Sequence, residues 1–182
     1  MPPRGGDPSH ALEMARGLKG HVHAVNVTDG SRAVMRMSSL AVARLLLDEG
    51  IEPVLQMACR DRNRIAIQAD LLGAHALGIR NLLCLTGDPV RAGDQPKARP
   101  VNELESVRLL RQVTAFNQGD DPVKGDLADG PTDIFAGAAA DPQCASWSGL
   151  VRRMQRKKAA GARFIQTQMV MDASVLERFC RE

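Results

Sequence analysis

The stretch LCLTGDPV, residues 83–90, runs apolar through Leu83, Cys84 and Leu85. It then turns through Thr86 and Gly87 to a single carboxylate, Asp88, followed by Pro89. A carboxylate at the mouth of an apolar strand can hold a fixed negative charge against a ligand. It can equally cap a turn, because Asp before Pro is a common turn pair. Other polar residues stand in equivalent places: Thr28, Cys59 with Arg60 and Asp61, Asp141, and Thr167 with Gln168 each fall at or just past the end of an apolar run. CRDRNR, residues 59–64, reads either as part of such a site or as a loop whose Asp61 caps the next helix. Cys59 has no nearby His in its motif and reads as buried packing rather than as a nucleophile. His21 and His23 share a strand face but lack a third metal ligand. RRMQRKK, 152–158, reads as a solvated helix face, and Met35, Met37 and Met57 as core filling.

The elements that must position these residues alternate. Strands are expected over 21–28, 53–59, 81–87, 133–140 and 163–170, from short apolar runs bounded by turn residues. Helices are expected over 35–50, 62–78, 101–116, 146–161 and 173–182, from apolar residues at helical spacing, three of them closing on Gly50, Gly78 and Gly161. Near-continuous apolar strands that each lead into a helix imply parallel pairing with helices over the sheet. Neither GxGxxG nor GxxxxGK[ST] follows any strand, so the nucleotide signatures of open doubly wound sheets are missing. Polar residues gathered at strand C-terminal ends favour a (β/α)8 TIM-type barrel, which collects those ends on one face. About five βα units are legible, against the roughly 250 residues of a complete barrel, so the expectation is an incomplete barrel forming a single domain over 1–182.

Composition removes several function classes. With 182 residues, 44% hydrophobic and 25% charged, the chain is ordinary globular protein of one-domain size. A net charge of +3 from 24 basic and 21 acidic residues, 3% aromatics and no Tyr argue against a nucleic-acid partner. No apolar run approaches the roughly 18 residues of a membrane span. The four scattered cysteines, with no CxxC pair, fit a reducing compartment, and a cytoplasmic location is expected.

Four motifs, VNVTD (25–29), CRDRNR (59–64), LLGAHALGIRNLLCLTGDP (71–89) and KKAAGARFIQTQ (157–168), in this order and spacing, resemble the methylenetetrahydrofolate reductase family. The likeness is closest to the bacterial branch that can carry a fused homocysteine methyltransferase module. It covers almost the whole chain, including the loop FNQGDDPVKGDLADG (116–130). The resemblance implies a flavin-bearing barrel that uses NAD(P)H to convert 5,10-methylenetetrahydrofolate into 5-methyltetrahydrofolate, in one-carbon and methionine metabolism. It makes Asp88 the catalytic electrostatic residue, near both flavin and folate, where its charge disfavours an anionic reduced flavin and helps stabilise a cationic iminium form of the substrate. By residue type, Thr28 matches a threonine near the flavin ring, Lys157 a lysine near the FAD phosphates, and Gln168 a glutamine on the folate pterin. Gln56, Thr86, Asp141 and Arg153 fall at FAD-contacting positions where relatives have His, Arg, Tyr and Asn, and Gly87 sits between Thr86 and Asp88 in the same turn.

The resemblance also implies a glutamate, the family's general acid, at the end of a strand preceding PPR. Here Met1 stands inside that motif, and the two βα units that the resemblance implies after the last helix are missing, so the chain reads as truncated at both ends. Two functions stay open: the FAD-dependent oxidoreductase, and a non-catalytic partial barrel that binds weakly or assembles with another subunit, a second copy of itself included.

Overall fold

The computed structural model describes residues 1–181. In chain order the elements are α1 (Ser9–Arg16), β1 (Val25–Val27), α2 (Ser39–Asp48), β2 (Pro53–Ala58), α3 (Arg64–Ala76), β3 (Asn81–Leu85), α4 (Ser106–Gln118), β4 (Asp120–Asp121), β5 (Gly125–Asp126), β6 (Phe135–Ala140), α5 (Trp147–Ala159), β7 (Phe164–Thr167) and α6 (Ala173–Arg181). The five expected strands and five expected helices are all present, most of them shorter at their ends; α4 is shifted, starting five residues later and ending two later than expected, and residue 182 of the last expected helix lies outside the described residues. The differences are α1, the small β4–β5 hairpin inside the 116–130 loop, and the late start of β1, which leaves His21 and His23 in an exposed turn instead of on a strand face.

The main sheet is wholly parallel, in the order β1-β2-β3-β6-β7. Each strand therefore pairs with the next one along, and the order never reverses, so the sheet has no topological switch point of the doubly wound kind. It curls into a half-barrel with helices on its outer side. Because every pair is parallel, all strand C-terminal ends and the loops that follow them lie at one end of the sheet.

The register separates two faces. Leu55 pairs with Leu82, Met57 with Cys84, and Cys84 with Ala138. With Val27 and Ala136, these residues join the buried core shared with the helices. Side chains alternate along a strand. Gln56, Ala58, Leu83, Leu85, Ala139 and Gln166 accordingly face the concave side, where they line a cavity.

Local sequence explains the helices. In α4, Val107, Leu110, Val113 and Phe116 are buried at helical spacing, with Leu109 beside them. Glu105 caps its start by accepting from the backbone N–H groups of Val107 and Arg108. Asn63, not Asp61, caps α3, accepting from Ala66 N. CRDRNR is thus a loop leading into α3 whose cap comes two residues later than expected, and its Arg60 also borders a cavity at the strand ends. α2, α3 and α5 end alike: Gly50, Gly78 and Gly161 take φ of +66°, +86° and +103°. The next N–H in each case bonds back to a carbonyl five residues earlier, Ile51 to Leu46, Ile79 to Ala74 and Ala162 to Lys157. This is the Schellman ending that glycine permits without steric cost. Among the described residues no helix is long and apolar enough to cross a membrane.

Near the N-terminal ends of β6 and β7, the Phe135 and Phe164 rings stack with centroids 5.5 Å apart. Gly137 makes room for them, since a methyl group there would collide with the Phe164 ring. Gly137→Ala should cost about 1–3 kcal/mol in urea denaturation, the usual scale of overpacking. The loss should shrink in a Phe164→Leu background. Additivity of the two substitutions within about 0.5 kcal/mol would mean that the ring is not the obstacle.

Candidate active site

The loops at the C-terminal ends of β1, β2 and β3 are tied together by arginine–carboxylate pairs. Asp29, just past β1, accepts from Ala58 N at the end of β2 (2.8 Å) and from Arg62 Nη1 (2.6 Å). Arg62 also donates through Nε to Asp70 of α3 (2.8 Å). The Asp29 and Arg62 side chains are only 10% and 18% exposed, so this pair is largely withdrawn from water. Arg60 is buried more deeply still, with its side chain 5% exposed. Its Nε and Nη2 reach the two carboxylate oxygens of Asp61 at 2.8 and 2.5 Å. Its Nη1 donates to the carbonyls of Gly30 (3.3 Å) and Asp88 (3.4 Å).

Inside this frame lies a cavity of about 350 Å³ that brings together six of the nine expected site residues: Thr28, Gln56, Thr86, Gly87, Asp88 and Gln168. They come from the ends of four strands. The Thr28 hydroxyl is buried and has no hydrogen-bond partner. Gln56 is buried and makes one long contact, Nε2 to Asn26 Oδ1 at 3.4 Å. The Thr86 hydroxyl accepts from Ser106 N (3.2 Å), so it caps the first turn of α4 while bordering the cavity. Gly87 leaves no room for a side chain, since a Cβ there would lie 2.9 Å from Arg60 Cβ. Asp88 is exposed, and its Oδ2 accepts from Arg32 N at 2.7 Å. The carboxylate therefore caps a loop, but one 56 residues away in sequence. Gln168 is exposed and joins β6 through its backbone N–H to Ala140 O (2.8 Å).

A second cavity, of about 260 Å³, opens beside Thr86 at the N-terminus of α4. Arg153, Arg156 and Lys157 of α5 line it together with Glu105, Ser106 and Val107. Lys157 donates to Ala139 O (2.5 Å). Burial pushes its ammonium below the ordinary lysine range, the Arg153 charge adds to this, and Glu105 opposes it. The unfolded chain therefore binds more protons than the folded one between the lowered value and 10.5, and this residue makes stability rise with pH across that window. An anion seated beside Lys157 would offset that burden. Arg153 donates to Cys144 Sγ at 3.3 Å. Asp141 lines neither cavity: its carboxylate is exposed and accepts from Gln143 N at 3.0 Å, closing its own turn.

Some participants escaped the reading of the residues. Asp29 carries the same signal as Asp88, a carboxylate directly after an apolar run, yet its partner Arg62 is 33 residues away. Gln166 lines the first cavity and Arg156 the second. Strand parity could have marked Gln166, and helical spacing from Arg153 could have marked Arg156. Cys59 and Cys84 are buried and lie outside both cavities. Burial, with a smaller push from the Glu105 charge, raises the Cys59 thiol to about 12. Burial raises Cys84 as well.

The family model described as "Methylenetetrahydrofolate reductase" matches residues 1–182, and the chain belongs to that family. A relative in Caenorhabditis elegans, named "Probable methylenetetrahydrofolate reductase (NADPH)", is 27% identical over 148 residues, covering 80% of this chain. The match spans 20% of the relative's own length.

The thiols give a direct check on the packing around the site. With a chromogenic disulfide reagent at pH 8, exposed Cys180 should react first in the native protein, and Cys59 and Cys84 only after unfolding. Fast native labelling of Cys59 would contradict the burial that removes it from nucleophilic chemistry.

Proposed function

We propose that this chain carries the flavin- and folate-binding face of a (β/α)8 TIM-type reductase barrel, as one domain over 1–182, and takes part in reducing 5,10-methylenetetrahydrofolate to 5-methyltetrahydrofolate with NAD(P)H. The observation that carries this reading is the convergence of Thr28, Gln56, Thr86, Gly87, Asp88 and Gln168 on one cavity at the strand C-terminal ends, where barrels of this type keep their chemistry. The nematode relative is named for NADPH, which makes NADPH the first co-substrate to test.

The residues present suit FAD. The buried, unpartnered Thr28 hydroxyl and the loosely held Gln56 amide offer hydrogen bonds to the polar edge of a flat heterocycle, between small apolar walls at Ala58, Leu83 and Ala139. Next door, Arg153, Arg156 and Lys157 line the second cavity against one carboxylate, Glu105, and this excess of positive charge favours a diphosphate. Asp141 lines neither cavity, and its expected contact with FAD falls beyond them, on the adenosine side. When bound, the flavin supplies two-electron hydride transfer between nicotinamide and folate. The protein's part is to hold a negative charge at Asp88, which favours a cationic iminium form of the methylene carrier. Gln168, exposed beside the cavity mouth, offers an amide to the pterin edge.

Protein reconstituted with FAD should be yellow, and its flavin band should bleach on anaerobic titration with NADPH or NADH. A chain that takes up no flavin would instead favour a non-catalytic binding or assembly module. Asp88→Asn should retain the flavin band yet lose folate turnover by on the order of 10²–10³-fold, the scale of removing one preorganised electrostatic contact. Unchanged turnover would remove the role given to Asp88.

A further inference from the structure

We infer that Arg60 is the positioning residue for Asp88, a buried guanidinium that fixes both partners of the hydrogen bond holding that carboxylate at the cavity. The functional value of a fixed Asp88 rests on the reductase reading, but the geometry does not. Asp88 is exposed, and an exposed side chain on a turn would ordinarily sample several rotamers. Its Oδ2 is instead held by Arg32 N at 2.7 Å. That bond can fix the charge only if the two loops it joins are themselves fixed in relation to each other.

Arg60 supplies that relation. One nitrogen, Nη1, makes two long contacts, to Gly30 O (3.3 Å), two residues before Arg32, and to Asp88 O (3.4 Å), the carbonyl of the residue that carries the carboxylate. The opposite edge of the guanidinium, Nε and Nη2, is locked by Asp61 in a two-point pair. The side chain therefore cannot swing away without breaking four contacts. Both loops also press closely on it: a methyl group at Gly30 would stand 2.7 Å from Arg60 Nη2, and one at Gly87 would stand 2.9 Å from Arg60 Cβ. The backbone of Arg60 adds a further tie, accepting from Val101 N at 2.8 Å, where the long loop after β3 returns.

The conformation that Arg60 holds is a costly one. Arg32 and Ala33 have φ of +58° and +54°, the left-handed region that side chains with a Cβ seldom adopt. A loop in this state relaxes when its anchors are removed. Lysine cannot replace the anchor, because a single ammonium lacks the planar fork that serves Asp61 on one edge and two carbonyls on the other.

The test is amide hydrogen exchange by NMR on the full chain, comparing wild type with Arg60→Lys, Arg60→Met and Asp61→Asn. The Arg32 amide reports the Arg32–Asp88 bond directly. Its exchange should speed up at least about tenfold in Arg60→Met and in Arg60→Lys, and less in Asp61→Asn, while the strand amides of Leu55 and Leu83 keep their protection. Asp61→Asn keeps the guanidinium and carries the test if both Arg60 variants fail to fold. Unchanged Arg32 exchange in the folded variants would overturn the proposal. So would loss of protection at Arg32, Leu55 and Leu83 together, because that marks a general stabilising role. If Arg32 is selectively loosened but the wild-type protein binds no flavin, the positioning role stands and the reductase reading fails.

Discussion

The ion pair between Asp29 and Arg62 is the constraint on which the site depends. Both groups are largely shielded from water, so each would be a liability without the other. A carboxylate that also accepts from Ala58 N, and a guanidinium that also reaches Asp70, convert that liability into specificity of loop placement. Removing one member of such a pair typically costs about 3–5 kcal/mol, because the remaining charge is left buried. The loops after β1 and β2 are thereby fixed to each other and to α3. Arg60 extends the arrangement to the loop after β3, and the cavity takes its shape from these joined ends.

The second organising feature is the difference between the two sides of the sheet. On the outer side, Leu55, Met57, Leu82 and Cys84 are withdrawn from water against the helices, where their burial supplies the main driving force for folding. On the concave side, Gln56 and Gln166 share the surface with Ala58, Leu83 and Ala139. A buried amide such as Gln56 costs free energy unless it is hydrogen-bonded, and its one contact here is long. A face that leaves an amide and a hydroxyl short of partners suits a ligand with both a flat apolar body and polar edges.

The two cavities meet at Thr86, and the contrast between them is electrostatic. The larger one sets Asp29 and Asp88 against Arg60, while the smaller one sets three basic side chains against the one carboxylate of Glu105. An elongated ligand with a neutral ring system at one end and negative charge further along would satisfy both. Lys157, held partly out of water and beside Arg153, gains most from such an anion.

Much of this was legible in the sequence. Hydrophobic periodicity and the three helix-ending glycines define the βα alternation, because those signals are local and depend on side-chain spacing and backbone sterics. The residue types at the strand ends, Thr28, Thr86, Asp88 and Gln168, mark the face that carries the larger cavity for the same reason: a parallel βα chain must present those ends together. What only the tertiary structure decided is which polar groups meet. Asp88 is capped by a backbone N–H 56 residues away, Asp29 pairs across 33 residues, Asp141 turns aside to close its own loop, and Arg60 is buried under two loops at once. Spacing along the chain carries no record of those partners, because they are set by the curl of the sheet and the packing of loops against it.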